Sequence, residues 1–173
     1  MKAIFRTGFI LLACALTSIE IAAAQPANLG CTPENSTTTA QTLHCQGGVT
    51  IVAENGARYT LRDRGGKGRV DTVELSSKAL LIEVLKKSGG NKFQVITPQA
   101  IAAVRGTKWA VDAADKKTSV FVVDGRVAVG RRTGSRMVTL GSGDGVDVEE
   151  AGPLIVKRWP SARVSALLAR LGQ

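Results

Sequence analysis

The sequence predicts an all-β fold, an antiparallel β-sandwich or β-roll of about ten short strands with one C-terminal helix. Three observations predict it. Short runs rich in Val, Ile and Thr recur from Val49 onward. Glycine-bearing turns separate them at regular intervals. Only the last stretch, from Pro160, changes to a helical period.

Each element follows from local chemistry. Val49 to Val52 leads into Asn55-Gly56, and Ala57 to Leu61 leads out. Asn-Gly between apolar runs marks a hairpin, because both central residues of a type I′ turn need positive φ. Segments 70–75, 79–84, 92–96, 99–105 and 108–113 read as further strands. Thr118 to Val123 and Arg126 to Val129 flank Asp124-Gly125 as a second hairpin. Met137 to Leu140 and Gly145 to Val148 flank Gly141 to Asp144 as a third. In the closing helix Pro160 suits the first turn, and Val164, Leu167, Leu168 and Leu171 share one face. Gly172 suits the C-terminal cap. Such a helix covers a sheet face or edge. Arg163 and Arg170 flank its stripe and raise a partner-binding or membrane-surface role as the alternative.

The chain has 173 residues, a formal net charge of +9, one His, three Cys and 4% aromatics. That length suits one domain. A lone histidine excludes a His-rich metal site. The aromatics are too few for a long base-stacking platform. Lys2 and Arg6, the apolar run Phe9 to Leu16 and then Ala22-Ala23-Ala24 have the order of a secretory signal peptide, residues 1–24, cleaved after Ala24. The product is expected to be periplasmic or secreted, with no transmembrane span. The rival reading is lipidation at Cys14, since Leu11-Leu12-Ala13-Cys14 loosely fits a lipidation box.

Cleavage leaves Cys31 and Cys45. An even pair in an exported protein reads as one disulfide. Closing a loop of about 15 residues would stabilise the fold by about 3 kcal/mol in the chain-entropy picture. Residues 25–46 are rich in Thr, Ser, Asn and Pro and read as an irregular strap held by that bridge. Residues 47–150 form the β domain, and 151–173 a linker and the helix.

The most informative stretch runs from Thr97 to Trp109. Pro98 starts a strand where a missing N–H does little harm. Ala100, Ala102 and Val104 point one way. After Arg105-Gly106 the bulky residues Trp109 and Val111 fall in the opposite phase, which predicts a β-bulge or sharp bend at the glycine. Thr-Pro-x-Ala-x-Ala-x-Val-Arg-Gly-Thr resembles the signature of the FecR domain family. The likeness continues through Trp109-Ala110-Val111-Asp112, Asp124-Gly125-Arg126-Val127 and the closing strands to Val148. It is close over 79–148 and looser over 46–78.

The resemblance implies a β-rich periplasmic module. In full-length members it lies between a cytoplasmic anti-sigma segment with a membrane helix and a receptor-contacting C-terminal region. It relays an outer-membrane transport signal to an extracytoplasmic sigma factor. Here a cleavable leader stands in place of the anti-sigma segment, so a free-standing exported domain is expected. Arg105, Gly106, Thr107, Trp109 and Arg126 are its candidate partner-binding or structural residues. For Arg105 the structural role is favoured, with the guanidinium fixed by a carboxylate or by backbone carbonyls.

Catalytic patterns are missing. Gly65-Gly66-Lys67-Gly68 lacks the spacing of a phosphate loop. Asp63 and Asp71 flank it among Arg64, Lys67 and Arg69, which would repel calcium. Leu140 stands where a nucleophile elbow needs glycine. Asp144, Asp147, Glu149 and Glu150 read as a solvated acidic turn. His44 has no evident oriented nucleophile, and no cofactor or metal is expected. The reading is therefore a non-enzymatic binding module. Its partner is an envelope protein in signal relay or, alternatively, an anionic envelope polysaccharide or lipid drawn by the basic surface. Nucleic acid is not expected for an exported chain.

Overall fold

The computed structural model describes residues 29–86 and 93–173. The predicted leader, its cleavage site and Cys14 lie outside them. Thirteen strands and one helix are present among the described residues. The strands are β1 Cys31–Ser36, β2 Ala40–Cys45, β3 Val49–Glu54, β4 Arg58–Arg62, β5 Thr72–Val84, β6 Phe93–Ile96 and β7 Ala100–Val104. They continue as β8 Thr107–Ala114, β9 Lys117–Asp124, β10 Arg126–Arg131, β11 Met137–Gly141, β12 Asp144–Glu149 and β13 Lys157–Arg158, followed by helix α1 Ser161–Arg170. The fold is all-β with one helix, as the sequence predicts.

One curled sheet folds over itself into two layers. The helix-side layer pairs β1-β2-β3-β5-β8-β9-β12-β13, and the open layer pairs β4-β5-β6-β7-β10-β11. Strand β5 belongs to both. Its first half pairs with β4 and β6, and its second half with β3 and β8. The sequence predicts two strands here, 70–75 and 79–84; they are one strand kinked between them. Lys78 sits at the kink with φ 66, and the β4 register shifts beside it. The pairing of β5 with β6 is parallel, so the sheet is mixed and not purely antiparallel.

The three predicted hairpins are a second correction. Strands β3 and β4, β9 and β10, and β11 and β12 are consecutive but do not pair with one another. Each glycine turn carries the chain from one layer to the other. Positive φ is present at Gly56, Gly125 and Gly143, as the turn residues demand. What the turns could not specify was the next partner: β4 pairs with β5, β10 with β7 and β12 with β9, each in the opposite layer from the strand before the turn. The true hairpins include β8–β9, across Asp115-Lys116, and β6–β7, across Thr97 to Gln99.

The predicted irregular strap is also regular. Strands β1 and β2 form an antiparallel hairpin in which Cys31 lies opposite Cys45, and the predicted disulfide joins them. A polar composition hid the strand signal, because β1 is an exposed edge that buries only its first residue.

Alternation sorts the side chains. Ile51, Leu80, Ile82, Trp109, Val111, Val120 and Val122 face the open layer, where Val73, Val95, Val104, Val127, Val129 and Leu140 meet them. Phe93 packs edge-on to Trp109, with centroids 5.9 Å apart. The other face of the helix-side layer carries Val52, Ala79, Leu81, Ala110 and Phe121, and Leu167 and Leu171 of the helix cover it. Trp159 stacks on Phe121, and the Arg163 guanidinium lies 3.5 Å over the indole. Only glycine fits beneath that ring, since a Cβ on Gly145 would come within 2.8 Å of Trp159 Cδ1.

Candidate interaction site

The signature segment divides into two structural devices at opposite ends of β7. At its start Thr97, Gln99 and Thr118 are buried and bonded to each other. The Thr97 and Thr118 hydroxyls are 2.7 Å apart, and Thr118 donates to Gln99 Oε1 at 2.9 Å. Thr97 Oγ1 also accepts the Ala100 N–H at 2.8 Å. Burying these groups is tolerable because each is satisfied. The knot ties the β6–β7 turn to β9.

At the other end the chain leaves the open layer through Arg105-Gly106 and enters the helix-side layer. Gly106 has φ 61, and a Cβ there would overlap Lys86 Cγ and stand 3.0 Å from Lys86 Cα. The Asp124-Gly125 corner, which crosses the other way, packs on it. A Cβ on Gly125 would lie 3.0 Å from Thr107 Oγ1 and 3.1 Å from Gly106 O. Thr107 locks the two corners, donating to Arg126 O at 3.1 Å. The third corner joins them, with Gly125 N–H donating to Ser142 Oγ at 3.1 Å. The phase break expected at Gly106 is thus a layer crossing with a sharp bend.

The predicted site residues separate cleanly. Trp109 is fully buried, so it builds the core and is not presented to a partner. Gly106 and Thr107 are buried in the corner. Arg105 and Arg126 are exposed. Contrary to expectation, the Arg105 guanidinium is fixed by neither carboxylate nor carbonyl among the described residues; that of Arg126 is likewise unpaired. The register that pairs Val104 with Val127 places these arginines side by side at the layer edge. Lys86 is exposed beside them, and Lys108 is paired with Glu83 at 3.7 Å. The corner end is therefore a basic, outward-facing surface.

Other charged groups find work within the fold. Asp63 accepts the N–H groups of Lys67 at 3.1 Å and Gly68 at 2.6 Å, while Asp71 accepts those of Arg64 and Gly65. The Lys67 N–H has the largest effect and, with those of Gly68, Gly66 and Arg69, holds the Asp63 carboxyl below the ordinary range against the opposing effect of burial. This is a self-satisfied turn. Asp147, expected in a solvated acidic turn, instead clamps the helix: Arg163 donates to it at 2.5 and 3.1 Å, and Ser119 at 2.6 Å. Burial works to raise its pKa, but those hydrogen bonds bring it below the usual carboxylate range. Arg170 binds Asp112 at 2.7 Å and Glu54 at 2.6 Å, and those two carboxylates raise its pKa. Both arginines that raised a membrane-surface role are thus taken up internally.

His44 has neighbours the sequence did not reveal. Its Nε2 bonds Glu34, and its Nδ1 lies 3.2 Å from Thr50 Oγ1. The pairings Thr32–His44 and His44–Thr50 across β1, β2 and β3 bring them together. The trio stands half-exposed on the outer surface, where it pins the edge hairpin. Among the described residues no group of His, Cys, Asp and Glu could hold a metal ion. No described helix is long and apolar enough to cross a membrane.

No curated protein matches the chain. Two crystal structures of a "putative anti-sigma factor" from Parabacteroides distasonis, at 1.65 and 2.50 Å resolution, share its fold. They align with TM-scores of 0.60 and 0.61 at 20% identity, over 79% and 80% of this chain. The chain spans 64% of the length of each. The family model described as FecR protein matches residues 36–128, which contain the disulfide-linked β2, the kinked β5, the Thr97 knot and both stacked corners. With more than half its length matched, and with the signature residues building the structure's own corners, the chain belongs to the FecR protein family.

Proposed function

We propose that this protein is a non-enzymatic, exported signalling module. It contacts an envelope protein through its corner end and takes part in control of an extracytoplasmic sigma factor. The observation that carries this reading is the pair Arg105 and Arg126, placed at neighbouring backbone positions by a buried corner and without a side-chain partner among the described residues. Two guanidiniums that start from neighbouring backbone positions, with donors that meet no carboxylate among the described residues, are suited to bidentate recognition of a carboxylate. Family membership supports the regulatory role, and the name carried by the structural neighbours agrees with it.

The test has two arms. The purified chain should enrich one envelope protein from a membrane fraction, and Arg105→Ala with Arg126→Ala should lose it while keeping the wild-type melting midpoint. In the host, loss of the gene should change transcription dependent on one extracytoplasmic sigma factor, and the double variant should fail to restore it. Equal capture by wild type and double variant would remove the corner end from the reading. An unaltered sigma-dependent programme would end the regulatory role.

A second reading rests on Lys86, Arg105 and Arg126 lying together: attraction of an anionic polysaccharide or lipid head group. It requires binding that weakens as salt rises, since exposed charges are screened over roughly 10 Å at 0.1 M salt.

A further inference from the structure

The two layers have opposite outer surfaces. On the helix-side layer the sheet presents carboxylates, and the helix brings apolar residues flanked by arginines. Leu167 and Leu171 lie on the sheet, while Arg163 reaches Asp147 and Arg170 reaches Glu54 and Asp112. The open layer has the reverse charge and no covering element among the described residues. A groove of about 750 Å³ runs across β4, β5, β6 and β7 there. Half-buried Ile96 and Ile101 belong to its apolar lining, with Tyr59 and Pro98, and Arg58, Arg64 and Arg132 line it as well.

The charge balance is specific. Among the described residues the one carboxylate lining the groove is Glu74, and it is already taken by Arg62 at 3.3 Å and Arg64 at 3.1 Å. Arg58 and Arg132 have no carboxylate partner among the described residues. Two forked donors therefore remain beside an apolar strip. Their complement is a chain that offers apolar side chains to Ile96 and Ile101 and carboxylates to the two guanidiniums.

We infer that the outer groove of the open layer is a second docking site, which takes an acidic, apolar-centred peptide segment of a partner protein. It is the charge-reversed counterpart of the helix's own seat. The occupant is a peptide and not a polysaccharide because the groove combines an isoleucine strip with arginines, and a sugar polymer would leave that strip uncovered. The site lies away from the corner arginines, so it provides a second contact and does not duplicate the first.

A phage-displayed library of random dodecapeptides, selected against the full chain, tests this. Selected peptides should carry Asp or Glu flanking two or more apolar residues. Amide shifts on binding should fall on β4, β6 and β7. Arg58→Glu and Arg132→Glu should each weaken a selected peptide about tenfold or more, with unchanged melting midpoints. Lys157→Glu, the same charge reversal on the helix-side layer, should leave binding within about twofold. Three results would overturn the inference: no acidic-apolar motif emerging, shifts confined to the corner end, or equal losses in all three variants. Concentration-dependent self-association that Arg58→Glu abolishes would also overturn it, by giving the groove to a second copy of this chain.

Discussion

The helix-side and open layers obey one rule of alternation but differ in what lies outside them. On both, the central strands send every second residue into the shared core. On the helix-side layer the outward residues include Val52, Leu81, Ala110 and Phe121, too apolar to leave in water, and the chain supplies its own cover. On the open layer the outward residues are mixed, with Thr60, Glu74 and Gln94 among Ile96 and Ile101, and the surface stands without a described cover. The difference teaches that strand patterning decides which face is inside. The residues in opposite phase decide whether the outside must be closed.

The largest perturbation should abolish the distinction between layers altogether. Gly106→Val forces a β-branched residue to φ 61 and drives its Cβ into Lys86. A loss of about 3 kcal/mol or more is expected, read as a fall in the denaturation midpoint. An unchanged midpoint would mean that the corner can shift freely. Next, Leu167→Ala hollows the small outer cluster. It should cost about 2–4 kcal/mol, with exposure of Trp159 to quenchers ahead of global unfolding. If Trp159 and the buried Trp109 become accessible together, the helix is not a separate cover.

A smaller effect should come from acid. The Asp147 pKa lies below its unfolded value of about 3.8. Its contribution is therefore complete above that value and is lost as pH falls through the lower folded one. The helix seat should loosen below about pH 4, visible in Trp159 fluorescence, and Asp147→Asn should flatten that response. The pair is partly exposed, so it should contribute no more than about 1 kcal/mol. Smallest of all, Arg132→Ala on the open layer should change stability by less than about 0.5 kcal/mol. A larger loss would show that the groove's arginine has a structural role.

Much of the fold was legible. The apolar runs located most strands, Gly172 closes the helix at φ 70 with its N–H bonded to Ala169 O, and the cysteine pair joined as expected. The hairpin pairings were not legible. Asn55-Gly56 and Asp124-Gly125 specify a turn, and a turn of that type serves a hairpin or a layer crossing equally well. Nor was the strap's hairpin visible, since an exposed edge strand needs no apolar alternation. For the candidate site, Arg105 and Arg126 were visible as motif residues. Their adjacency depends on the pairing of Val104 with Val127 across 22 intervening residues. The roles of Asp147, Glu54 and Asp112 had no local signal, because their partners arrive on the last helix. Only Gly145, a glycine inside a strand run, hinted that a ring would lie over it.

By itself the sequence determined where the backbone extends, where it turns and which residues seek the interior. Those choices are made by side chains and φ preferences within a few residues. Tertiary structure alone decided which strands became neighbours, which arginines were consumed and which were left facing water. Pairing partners and ion pairs are settled by distance in space, after every competing edge and charge has been brought within reach.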